Sequence, residues 1–80
     1  MYLDIGKNFA VRDRNIIGIF DLDNTSTSPR TKEFLNQAEL EGQVVPCDGL
    51  PNSFILTYEY AEPKVWLTEY STATLEKRLK

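Results

Sequence analysis

From Tyr2 to Ile5 apolar and polar residues alternate, and the alternation stops at Gly6-Lys7-Asn8 before Phe9-Ala10-Val11 resumes it. A short strand, a turn signal and a second short strand predict a hairpin. Asn15 to Phe20 follows, rich in β-branched residues, and Ile16, Ile17, Ile19 and Phe20 place large apolar groups on both faces of one strand. Both faces therefore need cover. Asp21 to Thr27 is polar and leads to Ser28-Pro29, the pattern of an N-cap with proline at the first helical position. The helix so predicted runs to about Leu40. Phe34, Leu35 and Ala38 share one of its faces with Thr31 between them, Leu40 lies off that face, and Gly42 supplies a stop.

Gln43 to Pro46 reads as a short strand and Cys47 to Asn52 as a loop. Ser53 to Tyr60 alternates clearly, with Phe54, Leu56, Tyr58 and Tyr60 on one face and Ile55 and Thr57 on the other. Glu62-Pro63-Lys64 predicts a turn into a strand from Val65 to Thr68, which makes a second hairpin. Ser71 caps a last short helix with Leu75 and Leu79 four apart, and Lys77, Arg78 and Lys80 stand where the helix dipole favours positive charge. The whole predicts a single α+β domain over residues 1–80: a small antiparallel sheet, one main helix and a short C-terminal helix. One helix cannot cover both faces of a sheet. The twice-apolar strand and the stray Leu40 thus predict a subunit packing on the uncovered face or edge.

Size sharpens that expectation. A domain of 80 residues buries only a little over ~60% of the surface its unfolded chain exposes, so it gains from staples or from association. Cys47 is the single cysteine and there is no histidine. This excludes an intrachain disulfide, the usual zinc frameworks and every Ser-His or Cys-His catalytic arrangement. Association remains, and a homo-oligomer is expected. Nine basic against twelve acidic side chains give a net charge of −3, which argues against a uniformly basic nucleic-acid module. Yet the charge is uneven: no Lys or Arg lies between Glu33 and Glu62. The first apolar cluster is interrupted by Asp4, Lys7 and Asn8, unlike a signal peptide, and the longest apolar run, Ile16 to Phe20, is far below a membrane span. A cytoplasmic protein without a membrane partner is expected.

Four groups of residues invite chemistry. Asp21-Leu22-Asp23-Asn24-Thr25 after an apolar strand forms a D-x-D-x-T string that resembles the first motif of haloacid-dehalogenase-type phosphohydrolases. There Asp21 would attack phosphorus, Asp23 would act as general acid and base, and both would hold Mg²⁺. Eighty residues cannot supply the several parallel crossovers of that fold, and an exposed loop rich in the turn formers Asp, Asn and Thr accounts for the string better, so the chain is read as a non-enzyme without metal or cofactor. Tyr58, Tyr60, Trp66 and Tyr70 have the spacing of cross-strand packing rather than of base stacking, and Cys47 has no cationic neighbour in sequence to activate its thiol. Arg12-Asp13-Arg14 is different. Two guanidinium groups project from a tight connection, with Lys7 in the preceding turn, and Arg suits phosphate. Pairing with Asp13 or with acidic groups of a neighbouring subunit is the alternative use. Repeated around an oligomer, a weak basic patch gains avidity for a long polyanion.

Across the whole chain the sequence resembles the small bacterial RemB-type proteins, relatives of the biofilm-matrix regulator RemA. The matching stretches are Met1-Tyr2-Leu3-Asp4-Ile5-Gly6, Ile16 through Thr25, Glu33-Phe34-Leu35, Leu50-Pro51-Asn52-Ser53-Phe54-Ile55 and Ser71 through Arg78. They include the D-x-D-x-T string as a feature of that family's strand-to-helix loop. The resemblance implies a ring-shaped homo-oligomer that binds double-stranded promoter DNA through exposed arginines and regulates transcription of matrix genes. Of the family's two arginine-bearing loops, the first corresponds to Arg12 and Arg14. The second corresponds to Asp48-Gly49-Leu50-Pro51-Asn52, which carries no basic residue. The nucleic-acid site expected is therefore Arg12 and Arg14, with Lys7 assisting; the alternatives are a ring that works through protein contacts and co-assembly with a basic paralogue.

Overall fold

Leu3, Ile5 and Val11 lie on one side of a hairpin formed by β1 (Tyr2–Gly6) and β2 (Phe9–Arg12), and that side is buried. This is seen in a computed structural model, which describes residues 1–22, 29–47 and 49–79. The strands pair antiparallel about Lys7-Asn8, with Asn8 at φ 81°, a left-handed conformation that Asn tolerates better than most side chains. The pairing slips between Asp4 and Gly6, so that Tyr2 stands opposite Arg12. A single 3₁₀ turn, Asp13–Asn15, then leads into β3 (Ile16–Asp21).

After β3 come α1 (Pro29–Leu40), β4 (Val44–Pro46), β5 (Ser53–Glu59), β6 (Glu62–Thr68) and α2 (Thr72–Leu79). β3 to β6 form a second sheet in the order β3-β5-β6-β4. The expected single antiparallel sheet is thus corrected to two sheets, of which the larger is mixed, because β4 runs parallel to β6. The reason is the connection through α1. It carries the chain from one sheet edge to the other and returns it in the direction of β3, a span long enough for the crossover that a parallel strand needs.

Register assigns the faces. Ile19, Ile55 and Trp66 are direct neighbours across three strands, and so are Phe20, Phe54 and Leu67. The first face packs on Leu3, Ile5 and Val11 of the hairpin and on Leu75 of α2, and the second on Leu35 and Ala38 of α1. The wholly bare face expected from the sequence does not exist, because the N-terminal hairpin and α2 cover what α1 cannot. The cover on the α1 side is still partial. α1 lies over β4 and β6, and towards β3 the side chains of Phe20 and Phe34 stay 36% and 41% exposed. Phe34, expected in the core with Leu35 and Ala38, instead lines a groove with Phe20, Phe54 and Leu56.

Local signals mostly hold where they can be followed. α1 begins at Pro29 as predicted, while its expected cap, Ser28, lies outside the described residues. It ends in a Schellman motif: Gln43 N–H donates to Ala38 O at 2.9 Å and Gly42 N–H to Glu39 O at 3.0 Å, with Gly42 at φ 71°. Ser71 Oγ accepts from Thr74 N–H at 3.2 Å and caps α2. The second hairpin turns two residues earlier than predicted. Tyr60 and Ala61, at φ 54° and 60°, make a two-residue turn, and Glu62-Pro63-Lys64 belongs to β6. Pro63 is tolerated there because its nitrogen faces the same edge as Val65 N–H, which reaches Gln43 O, and β4 begins only at Val44. None of the described helices is long and apolar enough to cross a membrane.

A buried polar seam fastens the hairpin to the sheet. Thr68, fully buried, donates its hydroxyl to Ile5 O at 2.5 Å and accepts Tyr70 N–H at 3.1 Å. Its cross-strand partner Ser53, equally buried, donates to Tyr70 O at 2.6 Å. Thr68→Val keeps the shape but strands the Ile5 carbonyl and the Tyr70 amide, each worth about 1–3 kcal/mol when left unsatisfied in the interior. Urea unfolding should show a loss of at least about 1 kcal/mol; an unchanged midpoint would mean that the seam does not hold the fold. Leu75→Ala, which empties a fully buried site in the same core, should cost about 2–5 kcal/mol by the same measurement.

Candidate nucleic-acid interface

Arg12 closes β2 directly across from Tyr2, which shapes its side chain. Its Nε donates to the Tyr2 hydroxyl at 3.2 Å, and its guanidinium carbon stands 5.6 Å from the centre of the Tyr2 ring. The hydrogen bond to Tyr2 chiefly raises the Arg12 pKa above its ordinary value, and the nearby carboxylate of Glu59 adds to it. The group is a fixed cation braced on an aromatic ring. Arg14 lies in the following 3₁₀ turn, exposed, with no hydrogen-bond or ion-pair partner among the described residues. Asp13 between them does not neutralise either arginine: its carboxylate stands 3.7 Å from the Met1 amino group, and its N–H donates to Met1 O at 3.0 Å.

Lys7 is not part of this cluster. It occupies the β1–β2 turn, and the five residues of extended chain from there to Arg12 put it roughly 16 Å away at ~3.3 Å per residue. The stretch Gly49 to Asn52 is also remote, since it precedes Ser53 while the 3₁₀ turn leads into Ile16, which pairs with Thr57 towards the other end of β5. Gly49, at φ 80°, packs against the side chain of Glu69 there, and Asp48 lies outside the described residues. Cys47 is half-buried, donates its N–H to Leu67 O at 2.8 Å and packs on the hairpin core.

Between the two hairpins, a cavity of about 310 Å³ brings Arg12 and Tyr2 next to Glu59, Tyr60, Lys64 and Trp66. Lys64 Nζ lies 5.9 Å from the Trp66 ring, whose Nε1 donates to Thr57 Oγ1 at 2.9 Å. Sequence reasoning missed the company Arg12 keeps. Lys64 sat in a presumed turn, and the Tyr2–Arg12 pairing follows from a bulge that alternation does not encode. Chemically the cavity offers an anion the braced guanidinium of Arg12 beside the carboxylates of Glu59 and Glu62, while Arg14, exposed in the adjoining 3₁₀ turn, is not part of its lining.

For the D-x-D-x-T string, Asp21 is the last residue of β3, half-buried, while Asp23 lies outside the described residues. Among the described residues no three of His, Cys, Asp and Glu come together as a metal site.

No protein-family model matches the sequence. Among curated proteins, Extracellular matrix regulatory protein B of Bacillus subtilis (strain 168) is 35% identical over 79 residues, covering 98% of this chain and 89% of the relative. Such identity over nearly the full length of both chains means that this protein belongs to the family of extracellular matrix regulatory protein B.

Proposed function

We propose that the protein is a cytoplasmic regulator of extracellular matrix formation, acting as a closed homo-oligomer larger than a dimer that binds double-stranded DNA through Arg12 and Arg14. The relative's name supports the regulatory role. The observation that carries the DNA reading is Arg14, exposed and without a partner among the described residues, next to an Arg12 held in place by Tyr2. With a net charge of −3 and few cations per protomer, a single copy engages DNA weakly, and repetition around a ring multiplies the contacts. Lys7 adds a separate phosphate contact at the far end of the hairpin. A second reading, a ring that works through protein contacts or together with a basic paralogue, is favoured by Glu59 and Glu62 at the same cavity and by the uncharged run Gly49 to Asn52.

Fluorescence-anisotropy titrations of a short duplex at low and moderate salt distinguish the two. Each neutralised phosphate contributes about −0.9 to the slope of log K against log salt, so a ring engaging several protomers should give a slope of several units. Arg14→Ala should weaken binding to all sequences alike and flatten that slope, because phosphate contacts position without reading bases. Lys7→Ala should act less. Wild type that fails to bind even at low salt would favour the interaction ring; a double Arg12→Ala/Arg14→Ala variant that binds as well as wild type would remove the site assignment. An aryl phosphate with Mg²⁺ should not be turned over, and turnover abolished by Asp21→Asn would establish the phosphohydrolase chemistry instead.

A further inference from the structure

Tyr60 borders the Arg12 cavity yet leaves nearly all of its surface to solvent. It stands at the tip of the β5–β6 hairpin, 92% exposed, in a turn that holds both Tyr60 and Ala61 at positive φ. Such turns favour Asn-Gly, and an ordinary side chain there costs roughly 1–2 kcal/mol per residue. Glu59 and Glu62 flank the tip as the closing pair of the hairpin. Phe54, about six residues back along β5 and so roughly 20 Å away, belongs to a groove of about 250 Å³ between the sheet and the start of α1. Phe20 and Phe54 stack in it with ring centres 4.9 Å apart, Phe34 and Leu56 line it, and Arg30 stands at its margin. Gly18 is what lets the Phe20 ring lie back over β3, since a side chain there would begin 2.7 Å from that ring. The groove is below the roughly 300–1,000 Å³ of small-molecule sites and suits one aromatic side chain.

We infer that the groove is the seat for Tyr60 of a second copy of this chain, with Glu59 and Glu62 of the incoming tip set towards Arg30. Charge complementarity selects this occupant, because the aromatic knob comes flanked by carboxylates and the apolar groove is bordered by a guanidinium. Placement supports it too. Knob and groove sit towards opposite ends of one rigid sheet, so a protomer cannot fill its own groove, yet each copy offers one of each. That is a heterologous, head-to-tail contact, the kind that closes into a ring when the rotation permits. The inference rests on the oligomer proposed above and names the contact that would build it.

Light scattering on a sizing column tests it with two variants. Tyr60→Gly removes the knob and relieves the turn, so loss of assembly in this variant is not a folding defect. Phe34→Asp spoils the groove from an already exposed position. Wild type should elute at several times the protomer mass and each variant at the protomer mass. A mixture of the two should then form a heterodimer and go no further, because it contains one intact knob, on Phe34→Asp, and one intact groove, on Tyr60→Gly. An oligomer of unchanged mass in Tyr60→Gly would overturn this contact and leave the assembly standing, whereas a monomeric wild type would overturn both.

Discussion

The hydroxyl of Thr68 joins two parts of the molecule that sequence order keeps far apart. By donating to Ile5 O within the interior it fixes the N-terminal hairpin on the face of the mixed sheet, and by accepting Tyr70 N–H it sets the bend from which α2 starts. Ile5, Ile55 and Leu75 are completely buried around that point. A domain of this size has little core to lose, and here a large share of it lies between the hairpin and the sheet. The position of Arg12 and Arg14 depends on this junction, since both are carried at the hairpin's open end.

Electrostatics then decide what such a surface can do. Arg12 is braced by Tyr2 and drawn by Glu59, and Arg14 is not paired with any described residue. At physiological salt, exposed charges are screened over ~8 Å, so on the DNA reading Lys7, at the far end of the hairpin, would be an independent contact and not part of one patch. A protomer with so few cations and a net negative charge gains useful affinity only by repetition. Assembly is therefore a requirement of the DNA reading, and the exposed knob and groove on one chain are the features from which it can be built.

Much of the fold could be read from the sequence because its signals are local. Alternation over Tyr2–Ile5 and Ser53–Glu59, proline at the start of α1, Gly42 at its end and Ser71 before α2 each act within a few residues of the feature they specify. What could not be read depends on long-range packing. Nothing near Val44 announces that β4 lies parallel to β6, because the crossover that decides it is made by α1. The sequence leaves one sheet face apparently bare because it does not reveal that the first hairpin folds back over it through Thr68. Tyr60 in a left-handed turn broke the usual Asn-Gly rule, which displaced the predicted turn to Pro63. Of the candidate site, Arg12 and Arg14 were legible as guanidinium groups in a tight connection. Their separation from Lys7 and the Tyr2 brace were not, since the bulge between Asp4 and Gly6 sets both the register and the neighbours.

The claim on which all of this converges is that DNA is bound by an assembly and not by single protomers. Sedimentation velocity, monitored through a dye on a short duplex while protein is added at low salt, tests it most directly. The account predicts that the duplex passes from free DNA straight to a complex carrying several protomers, with no complex of one protomer per duplex at any ratio. A duplex that first sediments with a single protomer, and then gains mass in single-protomer steps, would contradict it.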